Sequence, residues 1–348
     1  MSRLKGNYHA VSAKIKAMHS FYLTEGDYEQ LLSRHSVGDV CAYLKNSSGY
    51  AEVLAGVNDR EIHRLDLENL LRNEVRNEYA RVYRFVEREQ RKMLRFWFER
   101  DEIEFIKHCI RYILSGESGG IQGVSKYITS FFREHTKINL ELMEKARTFD
   151  ELTEACRDTD YHGVLIRASQ SGADTFSAAM LLDRHYYQSI WREKDKYLSD
   201  EDAKIFAEYI GQNIDMLNIL WIYRSKKYFD VDSEIIYTYL IPVRYKLSQE
   251  DMRSLVESSG YEAIEEYISK TPYAPLFQNI KQDYFVEENY NRLIYRLVRR
   301  LYKREPLSMT SVFAYFTAKN IEIRNLQTII EGIRYGFSAD AIREHLCV

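Results

Sequence analysis

Along residues 203–228, AKIFAEYIGQNIDMLNILWIYRSKKY, the apolar positions Phe206, Ile210, Leu217, Leu220 and Trp221 fall mostly three, four or seven apart. That spacing predicts one buried face of an α-helix. The string then returns: Asn213–Ile219 (NIDMLNI) reappears further on as Asn320–Leu326 (NIEIRNL), with an acidic residue third and asparagine sixth in both. A fainter copy, EIEFIKH, stands upstream at Glu102–His108. Repetition at a fixed period is the mark of a repeat architecture.

The segments between these strings repeat as well. Asp39–Leu54 (DVCAYLKNSSGYAEVL) overlays Asp150–Leu165 (DELTEACRDTDYHGVL). Glu262–Leu276 (EAIEEYISKTPYAPL) fits a third time, which sets Tyr273 opposite Tyr161 and Tyr50. All these overlays agree on a period of about 110 residues. A long apolar stripe follows each. From Asp66 the stripe Leu67, Leu71, Val75, Tyr79, Val82, Val86, Met93 and Trp97 predicts about 30 residues of unbroken helix, with the charged run Glu87–Lys92 as its solvated face. The later counterparts are Phe176–Tyr197 and Phe285–Arg304. A second helix is expected over Asp101–Leu114, closing at Gly116. At the N-terminus, one helix is expected within Asn7–Thr24, ending near Gly26, and shorter helical signals run from Asp27 to Leu44, punctuated by Gly38.

The expected fold is therefore all-α, in three tandem helical modules of about 110 residues, at 8–118, 124–230 and 232–346. The Gly-rich Gly116–Gly123 serves as a linker. A long helix pair presents an apolar stripe that it cannot bury alone, so the modules pack on neighbours. An open solenoid and closure about a pseudo-threefold axis both meet that need.

Composition sharpens this picture. All four prolines lie after residue 241, which leaves long stretches free to be helical. The 28 tyrosines and 16 phenylalanines suit grooves between packed helices. With 29% charged residues and a net charge of only −3, there is no global attraction to nucleic acid or to a membrane surface. Cys41, Cys109, Cys156 and Cys347 share no metal-type spacing and read as free thiols of a reducing compartment. Neither an apolar run of membrane-spanning length nor a signal peptide is visible. A cytoplasmic protein is expected, attached to a membrane only through a partner.

Candidate chemistry reduces to plain structure at most points. Gly116-Glu117-Ser118-Gly119-Gly120 matches a nucleophile elbow in letters, but that device needs a strand leading in, and none is predicted. Ser199-Asp200-Glu201-Asp202 reads as a helix N-cap with acids in the first turn rather than a metal site. His108 and Cys109 are helix neighbours and point to different faces, so they form no dyad. A Gly-Lys dipeptide is absent, and with it the phosphate-binding loop that requires one. No catalytic, cofactor-binding or metal-ligating residue is assigned.

One stripe stands out. Arg292, Arg296, Arg300 and Arg304 recur every fourth residue, joined by Arg299 and Lys303, and no acidic residue lies between Asn289 and Arg304. Either acids of another module neutralise this face, or it docks an acidic partner.

The module order, the N-terminal NYHAVSAKIKAMHS segment and the AYLKNSSGYAEVL turn resemble the C subunit of prokaryotic V-type (A/V-type) ATPases, the counterpart of the d subunit of eukaryotic vacuolar ATPases. The resemblance covers essentially the whole chain. It implies a funnel of three pseudo-symmetric modules that sits on the membrane rotor ring and receives the foot of the central stalk. Such a protein passes torque between ATP turnover and ion transport and has no catalytic residues of its own. No cofactor, nucleic acid or small-molecule substrate is expected. The alternative is a cytosolic all-α repeat adaptor that binds protein partners.

Overall fold

The computed structural model describes residues 8–347 except 21, 48, 116–127, 171, 173, 230 and 279–284. The Gly116–Gly123 linker and the elbow-like letters within it lie outside the described residues. Among the described residues every regular element is helical, and the chain gathers into two compact units.

One unit holds residues 87–270: α6 (Arg88–Ser115), α7 (Ser130–His135), α8 (Leu140–Lys145), α9 (Phe149–Ala155), α10 (His162–Gln170), α11 (Thr175–Tyr197), α12 (Asp200–Tyr228), α13 (Ser233–Tyr239), α14 (Gln249–Val256) and α15 (Tyr261–Ser269). Here α6 runs along α11 and rests on α9, α11 packs on α12, and α12 carries α14 and α15. The other unit joins the two ends of the chain. From the N-terminal side come α1 (His9–His19), α2 (Glu25–Leu32), α3 (Val37–Ser47), α4 (Ala51–Leu54) and α5 (Arg64–Phe85). From the C-terminal side come a 3-10 turn at Ala274–Phe277, then α16 (Phe285–Arg304), α17 (Met309–Arg334) and α18 (Ala339–Glu344).

In this second unit α17 is the axis. It packs along α16 and α5 and is flanked by α1, α2, α3 and α18. Buried residues occupy every side of it, including Phe313, Phe316, Leu326, Ile329 and Ile330. Each such side chain contributes roughly 1.5–3 kcal/mol on burial, so the joining of the chain ends around α17 is a large apolar contribution. No helix among the described residues is long and apolar enough to cross a membrane.

The long stripe from Asp66 is not one helix. Val86 is extended (φ −79°, ψ 158°) and ends α5. The chain restarts as α6, which absorbs the helix expected separately at Asp101–Leu114. The charged run is the start of that new helix. Gln90 Oε1 accepts the Glu87 N–H at 3.3 Å, and Glu89 sits in the first turn, where the helix dipole favours an acid. Val86 and Met93 are two helical turns apart in the count, so the apolar period runs through the break and hides it.

The first helix also stops earlier than expected, at His19. Thr24 opens α2 with a capping box. The Asp27 N–H donates to Thr24 Oγ1 at 3.2 Å, and the Thr24 N–H donates to Asp27 Oδ2 at 2.7 Å, so Gly26 falls inside α2. Elsewhere the expected elements are present: Ser199 caps α12, accepting from the Asp202 N–H, and Phe285–Arg304 is a single helix. Cys109 is buried while His108 is exposed, as their adjacent helical positions require. The cysteines are free and buried.

Gly38 opens α3 where the chain passes close to another segment. A Cβ there would lie 2.3 Å from the Asp59 carbonyl oxygen. Gly38→Ala is therefore expected to destabilise the protein by about 1–3 kcal/mol, read as a lowered Tm. Gly56→Ala, with nothing within 4 Å of the added Cβ, is the matched control and leaves Tm near wild type.

Candidate docking surface and its buried supports

The repeated strings mark buried polar anchors. In α17, Glu322 is only 4% exposed, and its carboxylate accepts the Leu23 N–H at 2.8 Å and the Tyr50 hydroxyl at 2.6 Å. Lys319 Nζ, one turn back, donates to it at 2.8 Å. In α12 the corresponding Asp215 is 1% exposed and accepts three successive backbone N–H groups, of Tyr245, Lys246 and Leu247, at 3.2, 2.7 and 3.3 Å. Leu23 and Leu247 each stand just before the capping residue of a short helix, Thr24 of α2 and Ser248 of α14. Buried amides at such entries need acceptors, and a carboxylate supplies strong ones.

The sixth-position asparagines form a second recurring tie. Asn218 grips the backbone of Ile241 at both ends: Nδ2 donates to its carbonyl at 3.0 Å and Oδ1 accepts its N–H at 2.9 Å. Asn325 does the same to Cys347, with the same two distances. Each tie fixes the chain just after a short helix, α13 in one unit and α18 in the other.

The third copy is present in a shifted register. The string alignment sets Glu104 of α6 opposite Asp215, yet Glu104 is exposed and pairs with Lys107 at 2.9 Å. The anchoring acid is Glu102, two positions earlier. It accepts the Thr136 hydroxyl at 2.6 Å and the Tyr161 hydroxyl at 2.9 Å. Tyr161 thus meets Glu102 as Tyr50 meets Glu322, so the two tyrosines that correspond in sequence also correspond in contact. Three positions after this acid stands Phe105, where α12 and α17 carry asparagine. It packs against Phe132 of α7 with ring centroids 5.5 Å apart, an apolar tie in place of the amide clamp.

Burial holds three carboxyls, Glu102, Glu78 and Glu99, away from their ordinary range. Desolvation raises Glu102 and Glu78, the acceptor of the Tyr315 hydroxyl, and pushes Glu99 up to about 7 against the opposing pull of Arg95.

The arginine stripe lies on α16. Ile294, Leu297 and Leu301 are buried, and the opposite face exposes Arg296, Arg299, Arg300, Lys303 and Arg304, which together line one shallow concavity. Arg304 also pairs with Glu305 at 3.5 Å. Arg292 lies apart from this group. It is half-buried, pairs with Glu288 at 3.6 Å, and donates to the carbonyls of Glu344 and Leu346, fastening the end of α18. His345 reaches the same Glu288 at 2.6 Å. The spacing of four along α16 does not distinguish Arg292 from the rest, because two of its partners lie at the far C-terminal end of the chain. No group of side chains among the described residues is arranged to hold a metal ion.

Known proteins share this chain's pattern over almost its whole length. The model of the ATP synthase (C/AC39) subunit family matches residues 11–345. The chain is 20% identical over 350 residues to the C subunit of the A-type ATP synthase of Methanocaldococcus jannaschii, an alignment that covers 97% of this chain and 86% of that protein. It is 22% identical to the corresponding A-type ATP synthase protein of Methanothermobacter thermautotrophicus, covering 96% and 86%. With that of Methanosarcina acetivorans the identity is 23%, covering 98% and 93%.

Two outcomes are expected of the anchors. Glu322→Ala strands the Lys319 ammonium and two donors in the core and costs about 3–5 kcal/mol. Asn325→Ala, which removes a neutral clamp, costs about 1–3 kcal/mol, and urea melts of the two variants give that order. For pH, the folded-state pKa of Glu99 lies above its unfolded value of about 4.5, so the folded state binds the extra proton. Stability is then lost as pH rises from about 5 through 7, by roughly 2 kcal/mol from Glu99, with Glu102 and Glu78 acting in the same direction. Glu99→Gln makes stability vary less over that window in melts at pH 5, 6, 7 and 8.

Proposed function

The chain belongs to the ATP synthase (C/AC39) subunit family, and on that premise we propose that it links the central stalk of a V-type rotary ATPase to the membrane rotor ring. Membership makes it a non-catalytic accessory subunit rather than an enzyme. In this reading the chain passes torque between ATP turnover in the soluble head and ion movement in the membrane. The observation that carries the proposal is the family match over residues 11–345, nearly the full chain.

We further propose three modules, 8–118, 124–230 and 232–346, in a pseudo-threefold, funnel-like arrangement. The recurrence of one contact type supports this: an acid from a long helix (Glu102, Asp215 or Glu322) bound to the chain beside a short one. Such an arrangement suits a coupler. Close-packed helices transmit strain instead of absorbing it, and buried charge-assisted ties resist sliding between elements. On the outside, Arg296, Arg300 and Arg304 of α16, with Arg292 at their border, form a docking face for an acidic surface of a partner in the complex. The protein works at the cytoplasmic side of the membrane, held there by its partners.

Purification of the tagged protein from its native host is expected to recover head, stalk and ring subunits together. Recovery of unrelated proteins alone would turn the assignment toward a repeat adaptor. Reversing Arg296 and Arg300 to Glu is expected to lower partner affinity about tenfold or more at low salt, with less effect at high salt. Unchanged affinity at low salt removes the docking face from the proposal and leaves the rotor role standing.

A further inference from the structure

Beside the basic face of α16 lies a cleft of a different character. It has a volume of about 130 Å³, and its walls include His19, Tyr22, Tyr302, Ala314, Tyr315 and Ala318. Arg299 and Lys303 belong to both the cleft and the basic concavity, so the two are continuous. Hydrogen bonds occupy the hydroxyls of two of the wall tyrosines. Tyr22 donates its hydroxyl to the Tyr315 carbonyl at 2.7 Å, and Tyr315 donates its own to Glu78 at 3.0 Å. His19 and Tyr302 stack with ring centroids 4.8 Å apart. The aromatic rings, the two alanine methyls and Val298 give the cleft a largely apolar lining.

A space of this size suits a single apolar side chain, for a cavity of about 150 Å³ is enough to admit benzene. The cleft's volume is too small for a lipid acyl chain. The charge at its mouth is cationic, with Arg299 and Lys303 of the exposed basic face at the rim. Size, ring lining and charge therefore select one kind of occupant.

We propose that this cleft seats one apolar or aromatic side chain of an acidic protein segment, whose carboxylates lie along Arg296, Arg299, Arg300 and Lys303. The proposal rests on reading α16 as a docking face and adds what the arginines cannot supply. Exposed charges steer and hold an acidic chain with little selectivity in register. An anchor residue in a pocket fixes register and carries most of the specific affinity.

The test uses the full-length protein and two dye-labelled peptides, each a run of glutamates with either Phe or Gly at the centre, followed by fluorescence anisotropy at low salt. The Phe peptide is expected to bind about tenfold tighter or more, the gain from burying one large apolar side chain. Ala318→Leu projects a side chain into the cleft and is expected to equalise the two peptides while leaving the Gly peptide unaffected. Tyr302→Ala removes one wall and is expected to reduce the same preference, which keeps the test decisive if Ala318→Leu does not fold. Arg296→Glu with Arg300→Glu is expected to abolish binding of both peptides. Equal affinity of wild type for the two peptides, or a folded Ala318→Leu protein that still prefers Phe, overturns the cleft while sparing the docking face. Binding of phosphatidylglycerol vesicles with binding of neither peptide overturns both.

Discussion

Helices buried on nearly every side leave few places where a buried backbone amide can find water, and this constraint shapes the interior. Where the chain enters a short helix against α12 or α17, its N–H groups are taken by Asp215 or Glu322 from the long helix itself. An unpaired amide or an unpaired carboxylate at these depths would each cost several kcal/mol. Paired, they satisfy one another and fix the distance between a long helix and the segment beside it. Lys319 shows how far this goes: a cation 1% exposed is tolerated because Glu322 and the rings of Tyr22 and Tyr50 surround it.

The contrast between inside and outside follows from the same need to pair charge. Within each unit, buried acids serve backbone donors, tyrosine hydroxyls and a few buried cations. Along the C-terminal half of α16 the inner stripe is apolar and the outer stripe basic and exposed. A surface of that kind contributes little to stability, since exposed charges gain little from folding. On the proposed reading it meets a partner of opposite sign, in keeping with a family whose members are accessory subunits of a larger machine.

Particular residues show how much of this is legible in the letters alone. The third-position acid and sixth-position asparagine of NIDMLNI and NIEIRNL are the residues that make the two kinds of anchor, so the similarity of the strings has a physical cause. The α6 copy aligns in letters two positions away from its true register. Its acid is kept but its asparagine is replaced by Phe105, and an alignment of letters has no means of weighing a ring contact against an amide clamp. The break at Val86 is hidden because helical periodicity records which side is buried and is blind to a single extended residue that preserves the count. Arg292 shares the spacing of its neighbours, though its bonds go to the last residues of the chain.

By itself the sequence determined the helical class, the recurrence of its strings at a nearly constant period and the buried face of the long helices. These are properties of local spacing, which a single strand of letters carries in full. Tertiary structure alone decided that the two ends of the chain share one unit around α17, which donors each buried acid serves, and which of the stripe arginines face outward. Those outcomes depend on groups from opposite ends of the chain meeting within hydrogen-bonding distance, as Leu23 meets Glu322 and Tyr28 meets Asn325, and no local pattern encodes such a meeting.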